Sequence, residues 1–308
     1  MQYLEFPLRE DGSATLCAYL LDPQIRFDRR KTRPAMLVCP GGAYLTLATK
    51  EAEPVAARML GLGYQSFVVR YKHYVLARPE QTGGAPKLDE DSHLPEQIVD
   101  LMSALRIVHE HSAEWGIDEQ RIYCLGFSAG AHLVGSLAER WDEPELLARA
   151  GATAEQTKPA GVVLCYPMIS AGPLLRDPSE VPPEMAPMLA LVARAIFGTD
   201  APTPEQMEAV DLVRHVRPDM PRVFAWHSSE DVVVDPAETL AFFSALQAAH
   251  VPCELHFFER GSHGTSLCDA TSADSENDVI PANAAWVEAC RRWLDLDAPE
   301  ELYSYVVE

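Results

Sequence analysis

One stretch of thirteen residues, RIYCLGFSAGAHL at positions 121–133, constrains this chain more than any other. Residues of strand character, Ile122 to Leu125, run directly into Gly126-Phe127-Ser128-Ala129-Gly130, and a helix-forming segment follows without a linker. A serine in such a sharp strand-to-helix turn takes a strained conformation that lifts its hydroxyl above the sheet. Glycines are expected on both sides because a Cβ there would collide with the neighbouring strand or helix. The pattern predicts that Ser128 is a nucleophile, the alternative being an ordinary glycine-rich turn.

Strands alternate with helices along the chain. The patterns predict strands at 2–7, 15–21, 34–39, 65–71, 122–125, 161–166, 222–227 and 252–258, and helices at 51–62, 94–115, 236–249 and 282–294, besides the helix after Ser128. This alternation is typical of the α/β class, with a mostly parallel central sheet and helices on both faces. At 308 residues the chain is expected to form a single domain, 1–308.

Two segments depart from this alternation. Residues 72–92 lose their periodicity and collect glycine, proline and charge, which predicts a surface loop. Residues 171–219 are first rich in proline and then helical in pattern. We interpret them as a cap inserted between two strands and packed over the site, and whether either segment moves is left open.

Composition excludes several classes of partner. A formal net charge of −21 disfavours nucleic acid and anionic membrane surfaces, since both would be repelled. No apolar stretch is long enough to span a bilayer, and the first residues lack the features of a signal peptide, so a cytoplasmic location is expected.

The seven cysteines include no C-x-x-C pair and lie mostly in apolar runs, which predicts buried free thiols and neither a disulfide framework nor a metal site.

A serine nucleophile needs a base, and the base needs a carboxylate that orients it. Asp231 follows the predicted strand RVFAWH, and His263 follows the predicted strand ELHFFE within Gly-Ser-His-Gly. Both therefore lie just past the carboxyl ends of strands, where open α/β sheets place their sites. The order Ser128, Asp231, His263 is one that serine hydrolases of this kind use. Glu230 and Asp235 compete with Asp231 for the acidic position.

The oxyanion formed in such a reaction requires backbone N–H donors. Ala129 supplies one at the start of the helix after Ser128. The turn Pro-Gly-Gly-Ala-Tyr at 40–44 follows a predicted buried strand and would supply another from Gly42 or Ala43. A plain turn after a strand is the alternative.

Other polar and aromatic residues have weaker expectations. His132 lies one helical turn beyond Ser128 and is expected to pack beneath the site, and His227 falls on a strand as a core or supporting group. Tyr44, Tyr166 and Met168 are candidates to line a substrate pocket, with core packing as the alternative.

Five segments together resemble a known family, the α/β-hydrolases of the acetyl esterase and acetyl-xylan esterase type, which are often labelled lipase/esterase or xylanase. The resemblance covers about Met36 to Leu294, and the segments that carry it are PGGAY at 40–44, KEAEPVA at 50–56, GFSAGAHL at 126–133, WHSSED at 226–231 and FERGSHGTSL at 258–267. The resemblance implies an α/β-hydrolase fold with a small cap. It also implies site residues, namely Ser128 as nucleophile, Asp231 and His263 as its partners, and Gly42, Ala43 and Ala129 as oxyanion donors.

The sequence departs from this family at two positions. Ala43 stands where the family usually has a third glycine. Ala131 stands at the position of the last glycine in the family's GFSAGGH. Both exchanges are small, and a backbone donor is retained after the first if φ of Ala43 stays negative.

The resemblance implies a serine carboxylic-ester hydrolase that acts on a small-molecule ester, such as an acetylated sugar or xylo-oligosaccharide, without metal or organic cofactor. An amidase, peptidase or formamidase of the same fold is the first alternative. A non-catalytic binding protein on a hydrolase scaffold is the second, although such proteins typically lose a member of the triad. The acyl chain length, the alcohol and the oligomeric state are left open, a homodimer being one option.

Overall fold

The computed structural model describes residues 1–22, 32–77, 79–172 and 186–296. Its strands are β1 Gln2–Pro7, β2 Thr15–Leu20, β3 Arg33–Cys39, β4 Gln65–Arg70, β5 Val75–Ala77, β6 Lys87–Leu88, β7 Ile117–Phe127, β8 Gly161–Cys165, β9 Arg222–Ser228 and β10 Cys253–Phe258. Its α-helices are α1 Glu53–Gly61, α2 Pro79–Thr82, α3 Glu96–Glu110, α4 Ser112–Trp115, α5 Ala129–Arg140, α6 Pro144–Ala150, α7 Ala154–Thr157, α8 Ala186–Phe197, α9 Pro204–Ala209, α10 Pro236–Ala248 and α11 Pro281–Asp295.

Eight of these strands form one sheet in the order β1-β2-β4-β3-β7-β8-β9-β10. The first two form an antiparallel hairpin, and β2 also runs antiparallel to β4. The remaining neighbours are parallel. The prediction of a mostly parallel central sheet is confirmed. Because the strands are parallel, their carboxyl ends meet at one edge and place the following loops side by side.

Helices cover both faces of this sheet, and the alternation of side chains along β3 shows how the two cores arise. Leu37 and Cys39 point into a core that includes residues of α3, α5 and α10. Met36 and Val38 point into a second core that includes residues of α1 and α11, in which Trp226 stacks on Trp286 with ring centroids 5.7 Å apart. A strand buried on both faces is apolar throughout, and this explains the continuous hydrophobic run of β3.

The structure corrects three details of the sequence prediction. Residues 72–92 do not form a plain loop, because β5 and β6 pair there as a small antiparallel hairpin with α2 between them. The helix predicted at 94–115 divides at His111 into α3 and α4. The helix predicted at 51–62 begins instead with a 3-10 turn, Thr49–Glu51, before α1.

The segment interpreted as a cap is described in part, since positions 173–185 lie outside the described residues. It contains α8, α9 and a 3-10 turn, Leu212–His215, and it packs against α5, where Leu212 approaches Gly135. The position of this segment over the site stays a prediction.

In the described part of the chain, no helix combines the length and the apolar character needed to cross a membrane. All seven cysteines are free thiols, six of them buried and Cys253 half-buried, so the prediction of buried free thiols holds for six of them.

Candidate active site

Ser128 occupies the sharp turn between β7 and α5. Its backbone angles, φ 51° and ψ −116°, lie in a region that costs a non-glycine residue energy and is characteristic of functional sites. The glycines around it permit a close approach, because a Cβ on Gly126 would lie 2.2 Å from the Gly130 carbonyl oxygen and one on Gly130 would lie 2.1 Å from that of Cys39. The strained turn that the sequence predicted is therefore present.

Ser128, His263 and Asp231 are joined by a continuous line of hydrogen bonds. The Nε2 atom of His263 lies 2.8 Å from the Oγ atom of Ser128. The Nδ1 atom of the same ring lies 2.7 Å from the Oδ2 atom of Asp231. Because a carboxylate only accepts, Nδ1 carries the proton and Nε2 is left to accept the proton of the serine. The arrangement suits proton abstraction from Ser128.

The carboxylate of Asp231 is almost fully buried, and both of its oxygens are occupied. Its Oδ1 atom accepts the N–H groups of Val233 and Val234, at 2.9 and 3.0 Å. Burial by itself raises the pKa of Asp231, but hydrogen bonds from His227, His263 and Val234 and the charge of His263 outweigh it and hold the pKa well below its usual range. Asp231 is therefore a fixed negative charge behind His263.

The two acids that competed with Asp231 have other contacts. Glu230 accepts the N–H of Gly261 at 3.1 Å. Asp235 caps α10 by accepting the N–H of Ala237 at 2.9 Å. Of the three candidates, the structure brings Asp231 to His263.

The turn expected to supply oxyanion donors has an unusual backbone. Gly42 has φ 124° and Ala43 has φ 56°. The condition set for Ala43, a negative φ, is therefore not met, because the turn requires the left-handed region there. A single alanine tolerates that region at a cost of about 1–2 kcal/mol. The exchange of glycine for alanine thus keeps the N–H but adds strain.

The N–H groups of this turn are available to a ligand. In the described ranges, the N–H groups of Gly42, Ala43 and Ala129 donate to no protein acceptor. The carbonyl of Gly42 accepts instead from Leu45 and Thr46, at 2.9 and 3.1 Å, which holds the turn closed. Free N–H groups next to a strained serine are the feature that stabilises a developing oxyanion.

The three residues proposed to line a substrate pocket are all buried. Tyr44 is 0% exposed, and Tyr166 and Met168 are 1% exposed, so none of them lines an open cleft. The hydroxyls of the tyrosines are used internally, that of Tyr44 on the ring of His132 and that of Tyr166 on the carboxylate of Glu51. The pocket prediction is therefore corrected in favour of its alternative, core packing.

His132 and His227 are both buried, and both ring nitrogens of each are hydrogen-bonded within the protein. The Nε2 atom of His132 donates to the carbonyl of Val210 at 2.7 Å, so its Nδ1 accepts from Tyr44 at 2.8 Å. Burial lowers the pKa of His132 to about 4, against the hydrogen bond to Val210. The Nε2 atom of His227 lies 3.0 Å from the same oxygen of Asp231 that His263 contacts.

Sequence reasoning missed Glu51 and Thr239. Thr239 lies on α10, and its hydroxyl is 2.8 Å from the Nδ1 atom of His227, which fixes that ring against Asp231. Glu51 is buried between the oxyanion turn and Tyr166. Glu51 lies within the segment KEAEPVA, whose other charged residues, Lys50 and Glu53, give no local sign that Glu51 is buried.

A separate cavity of about 950 Å³ opens beside the start of β7, and it is lined by none of the candidate site residues. Its wall includes Glu110, Asp142 and Trp141, and the two acids pair with Arg106 and Arg217. Within the described residues, no group of three or more His, Cys, Asp and Glu side chains is arranged to hold a metal ion.

Residues 90–267, which are more than half of the chain, match the sequence pattern of a family that has the alpha/beta hydrolase fold. This range includes Ser128, Asp231 and His263.

Relatives match over most of this chain. Endo-1,4-beta-xylanase B of Butyrivibrio fibrisolvens is 28% identical over 259 residues, which are 82% of this chain and 35% of that protein. Esterase LipQ of Mycobacterium tuberculosis is 26% identical over 250 residues, which are 80% of this chain and 53% of that protein. The chain thus spans about a third to a half of the length of these curated relatives.

Solved structures match over nearly the full length. The crystal structure of an acetyl ester-xyloside bifunctional hydrolase from Caldicellulosiruptor lactoaceticus is 27% identical, with a TM-score of 0.70, and covers 95% of this chain and 96% of its own. The fold is therefore shared along nearly the whole chain.

Proposed function

Because this chain belongs to the α/β-hydrolase fold family, we propose that it is a serine carboxylic-ester hydrolase. The observation that carries the proposal is the line of hydrogen bonds from Asp231 through His263 to Ser128. This line ends beside N–H groups that are free to bind an oxyanion. Peptide or amide hydrolysis would use the same groups, with His263 protonating the departing amine, so the choice of an ester as substrate is supported by the relatives that are named as esterases.

Acylation begins when the Oγ atom of Ser128 attacks the ester carbonyl. The proton of the hydroxyl passes to Nε2 of His263, and the carbonyl oxygen becomes an oxyanion held by N–H groups of Gly42 or Ala43 and of Ala129. The buried charge of Asp231 stabilises the imidazolium that forms. The bond from carbon to the alcohol oxygen then breaks, and His263 returns its proton to the departing alcohol.

Deacylation uses the same groups with water in place of the alcohol. His263 takes a proton from water, the hydroxide attacks the acyl carbon, and the bond to Ser128 breaks as the serine regains its proton. The products are a carboxylic acid and a free enzyme. No step requires an oxidant, a reductant or a metal ion.

We further propose that the acyl group is acetyl and that the alcohol is a sugar or a short xylo-oligosaccharide. The support is the nature of the relatives, which include a protein named as a xylanase and an acetyl ester-xyloside bifunctional hydrolase.

The test is hydrolysis of p-nitrophenyl esters of increasing acyl length, followed by acetylated xylo-oligosaccharides. The purified protein is compared with Ser128→Ala and with Ser244→Ala, which removes an exposed hydroxyl on α10. We expect Ser128→Ala to lose at least about a thousandfold in kcat and to keep its fold, since the hydroxyl contacts His263 and little else. Ser244→Ala should match the wild type.

The acyl-length series separates the alternatives. Turnover that depends on Ser128 and is greatest for acetate supports the proposal. Rates that rise with chain length would point to lipid or aryl esters, and greater turnover of matched amides would point to an amidase. Unchanged turnover in Ser128→Ala would refute the assignment of the nucleophile.

A further inference from the structure

A second buried carboxylate contacts the oxyanion turn and Tyr166. Glu51 ends the 3-10 turn Thr49–Glu51 and is 3% exposed. Its Oε2 atom accepts the N–H of Gly41 at 2.8 Å, and its Oε1 atom accepts the hydroxyl of Tyr166 at 2.6 Å. Burial of a carboxylate is costly unless it is compensated, so its two donors must contribute substantially.

The first of these bonds holds the oxyanion turn. Gly41 directly precedes Gly42 and Ala43, and its N–H points back to Glu51 rather than toward a ligand. Its carbonyl accepts the N–H of Ala48 at 3.0 Å. Both polar groups of Gly41 are therefore occupied, and this fixes the peptide from which the free N–H groups of the turn project.

The second bond reaches the loop that carries His263. The hydroxyl of Tyr166 accepts the N–H of Ser266 at 2.9 Å, and the hydroxyl of Ser266 donates to the carbonyl of Lys50 at 2.8 Å. The ring of Tyr166 packs edge-on against that of His263, with centroids 5.1 Å apart. Glu51 thus joins the oxyanion turn and the histidine loop, which come from opposite ends of the chain.

The hydrogen bonds fit an ionised Glu51. Burial raises the pKa of Tyr166 far above its usual range, and the charge of Glu51 raises it further, so the phenol keeps its proton and donates it. Burial also raises the pKa of Glu51, against the bonds from Tyr166 and Gly41 and the charge of His263. With a donor on each oxygen, the carboxylate form needs no further partner.

We propose that Glu51 is a positioning residue of the ester hydrolase, which fixes the oxyanion turn against the histidine loop and presents a second negative charge to the imidazolium of His263. This inference rests on the proposed function. It assigns to the site a pair of carboxylates, one hydrogen-bonded to His263 and the other acting through Tyr166 and Gly41.

The variant Glu51→Gln tests the charge while keeping the shape. A glutamine keeps an oxygen for the N–H of Gly41, but its NH2 group would donate to the Tyr166 oxygen where the carboxylate accepts, so the shape is kept and the direction of that one bond is reversed. We expect kcat to fall about tenfold with KM changed less than about twofold, because the imidazolium of the transition state loses a favourable charge. For the same reason, we expect the acid limb of the kcat/KM profile to move to lower pH in Glu51→Gln.

Other ionisable side chains lie near Glu51 and His263. Titratable side chains that act on Glu51 or His263 include Asp231, Tyr166, Lys50, Tyr71 and Cys165, and His227 contacts Asp231. Burial raises the pKa of Tyr71 and of Cys165 well above the usual range, so neither ionises in the assay. Lys50 pairs with Asp278 at 3.0 Å.

The matched control is Glu139→Gln. Glu139 is also a buried acid, 5% exposed, whose pKa burial raises, but it lies near the far end of α5 from Ser128. We expect this control to leave both kcat and the acid limb unchanged. A second variant, Tyr166→Phe, removes the hydroxyl and keeps the charge, and it should lower kcat without moving the acid limb downward.

The outcomes distinguish this inference from the proposed function. If Ser128→Ala abolishes turnover while Glu51→Gln keeps the wild-type kcat and acid limb, the role of Glu51 is refuted and the esterase proposal stands. If no ester is turned over, labelling of Ser128 by a fluorophosphonate, followed by intact mass, still compares the nucleophile in the wild type and in Glu51→Gln. A tenfold slower labelling supports the inference, and equal labelling overturns it. If Glu51→Gln does not fold, the test is made with Tyr166→Phe instead. A wild-type kcat in Tyr166→Phe would overturn the inference that Glu51 acts through Tyr166.

Discussion

Replacement of Gly42 by alanine is the sharpest test of the oxyanion turn. A Cβ on Gly42 would lie 2.1 Å from the carbonyl oxygen of Thr46 and 2.8 Å from its carbonyl carbon. Both contacts are with backbone, which cannot rotate away as a side chain would. Since Cβ contacts below 3.0 Å are essentially never seen, the turn must open by about 0.9 Å. The φ of 124° is a second obstacle, because L-residues rarely adopt it.

The expected loss follows from the distance by which the donors move. Oxyanion donors act at about 2.7–3.1 Å, and loss of one costs about 10²–10³ in kcat. A displacement of nearly an ångström in Gly42 and Ala43 is enough to break such a bond. We therefore expect Gly42→Ala to lower kcat about a hundredfold or more and the free energy of unfolding by about 1–3 kcal/mol.

The assay measures kcat on p-nitrophenyl acetate and thermal unfolding by circular dichroism. The matched control is Gly61→Ala at the end of α1, where an added Cβ would meet nothing within 4 Å. That control should keep its kcat and hold or slightly raise its melting temperature. If Gly42→Ala loses stability but keeps its kcat, the turn does not supply the oxyanion donor. If it keeps both, the steric reasoning is refuted.

Two further predictions concern the buried supports. Tyr44→Phe removes the donor to Nδ1 of His132 and leaves that atom buried without a partner. We therefore expect the free energy of unfolding, measured by urea denaturation, to fall by about 1–3 kcal/mol. An unchanged free energy of unfolding would show that this hydrogen bond does not stabilise the fold. Because the folded-state pKa of Asp231 is depressed, its charge stabilises the fold above the unfolded pKa of about 4, and this contribution is lost as pH falls through the lower folded pKa. The stability gap between wild type and Asp231→Asn should thus be widest above about pH 5 and should narrow in stronger acid, and a gap that is constant with pH would contradict this.

The sheet and the line from Ser128 to Asp231 could be predicted because each depends on local signals. Apolar runs bounded by turns located β3, β7 and β9, and the glycines on either side of Ser128 marked a backbone that only they permit. Asp231 and His263 were found because each follows a strand directly, and parallel strands bring their carboxyl ends together. Chain order then supplied the roles.

The residues that were missed or misplaced depend on contacts between distant segments. Glu51 and Tyr166 are 115 positions apart, and no periodicity links a 3-10 turn to the end of β8. Tyr166 was a candidate to line the pocket, with core packing as the alternative, but it has φ 36° and its hydroxyl is bonded to Glu51. The sign of φ at Ala43 was likewise unavailable, since alanine gives no local signal for the left-handed region.

These contacts also explain why a strained site persists. Ser128, Ala43, Tyr44, Tyr166 and Ser266 all have positive φ, and each such residue costs free energy that the surrounding structure must offset. Glu51 contacts this group of turns at two points, through Gly41 and through Tyr166. Tyr44 is held separately by His132 on α5. The strained backbone that frees the N–H groups is therefore fixed by buried side-chain bonds, and variants that remove those bonds should lower activity before they unfold the protein.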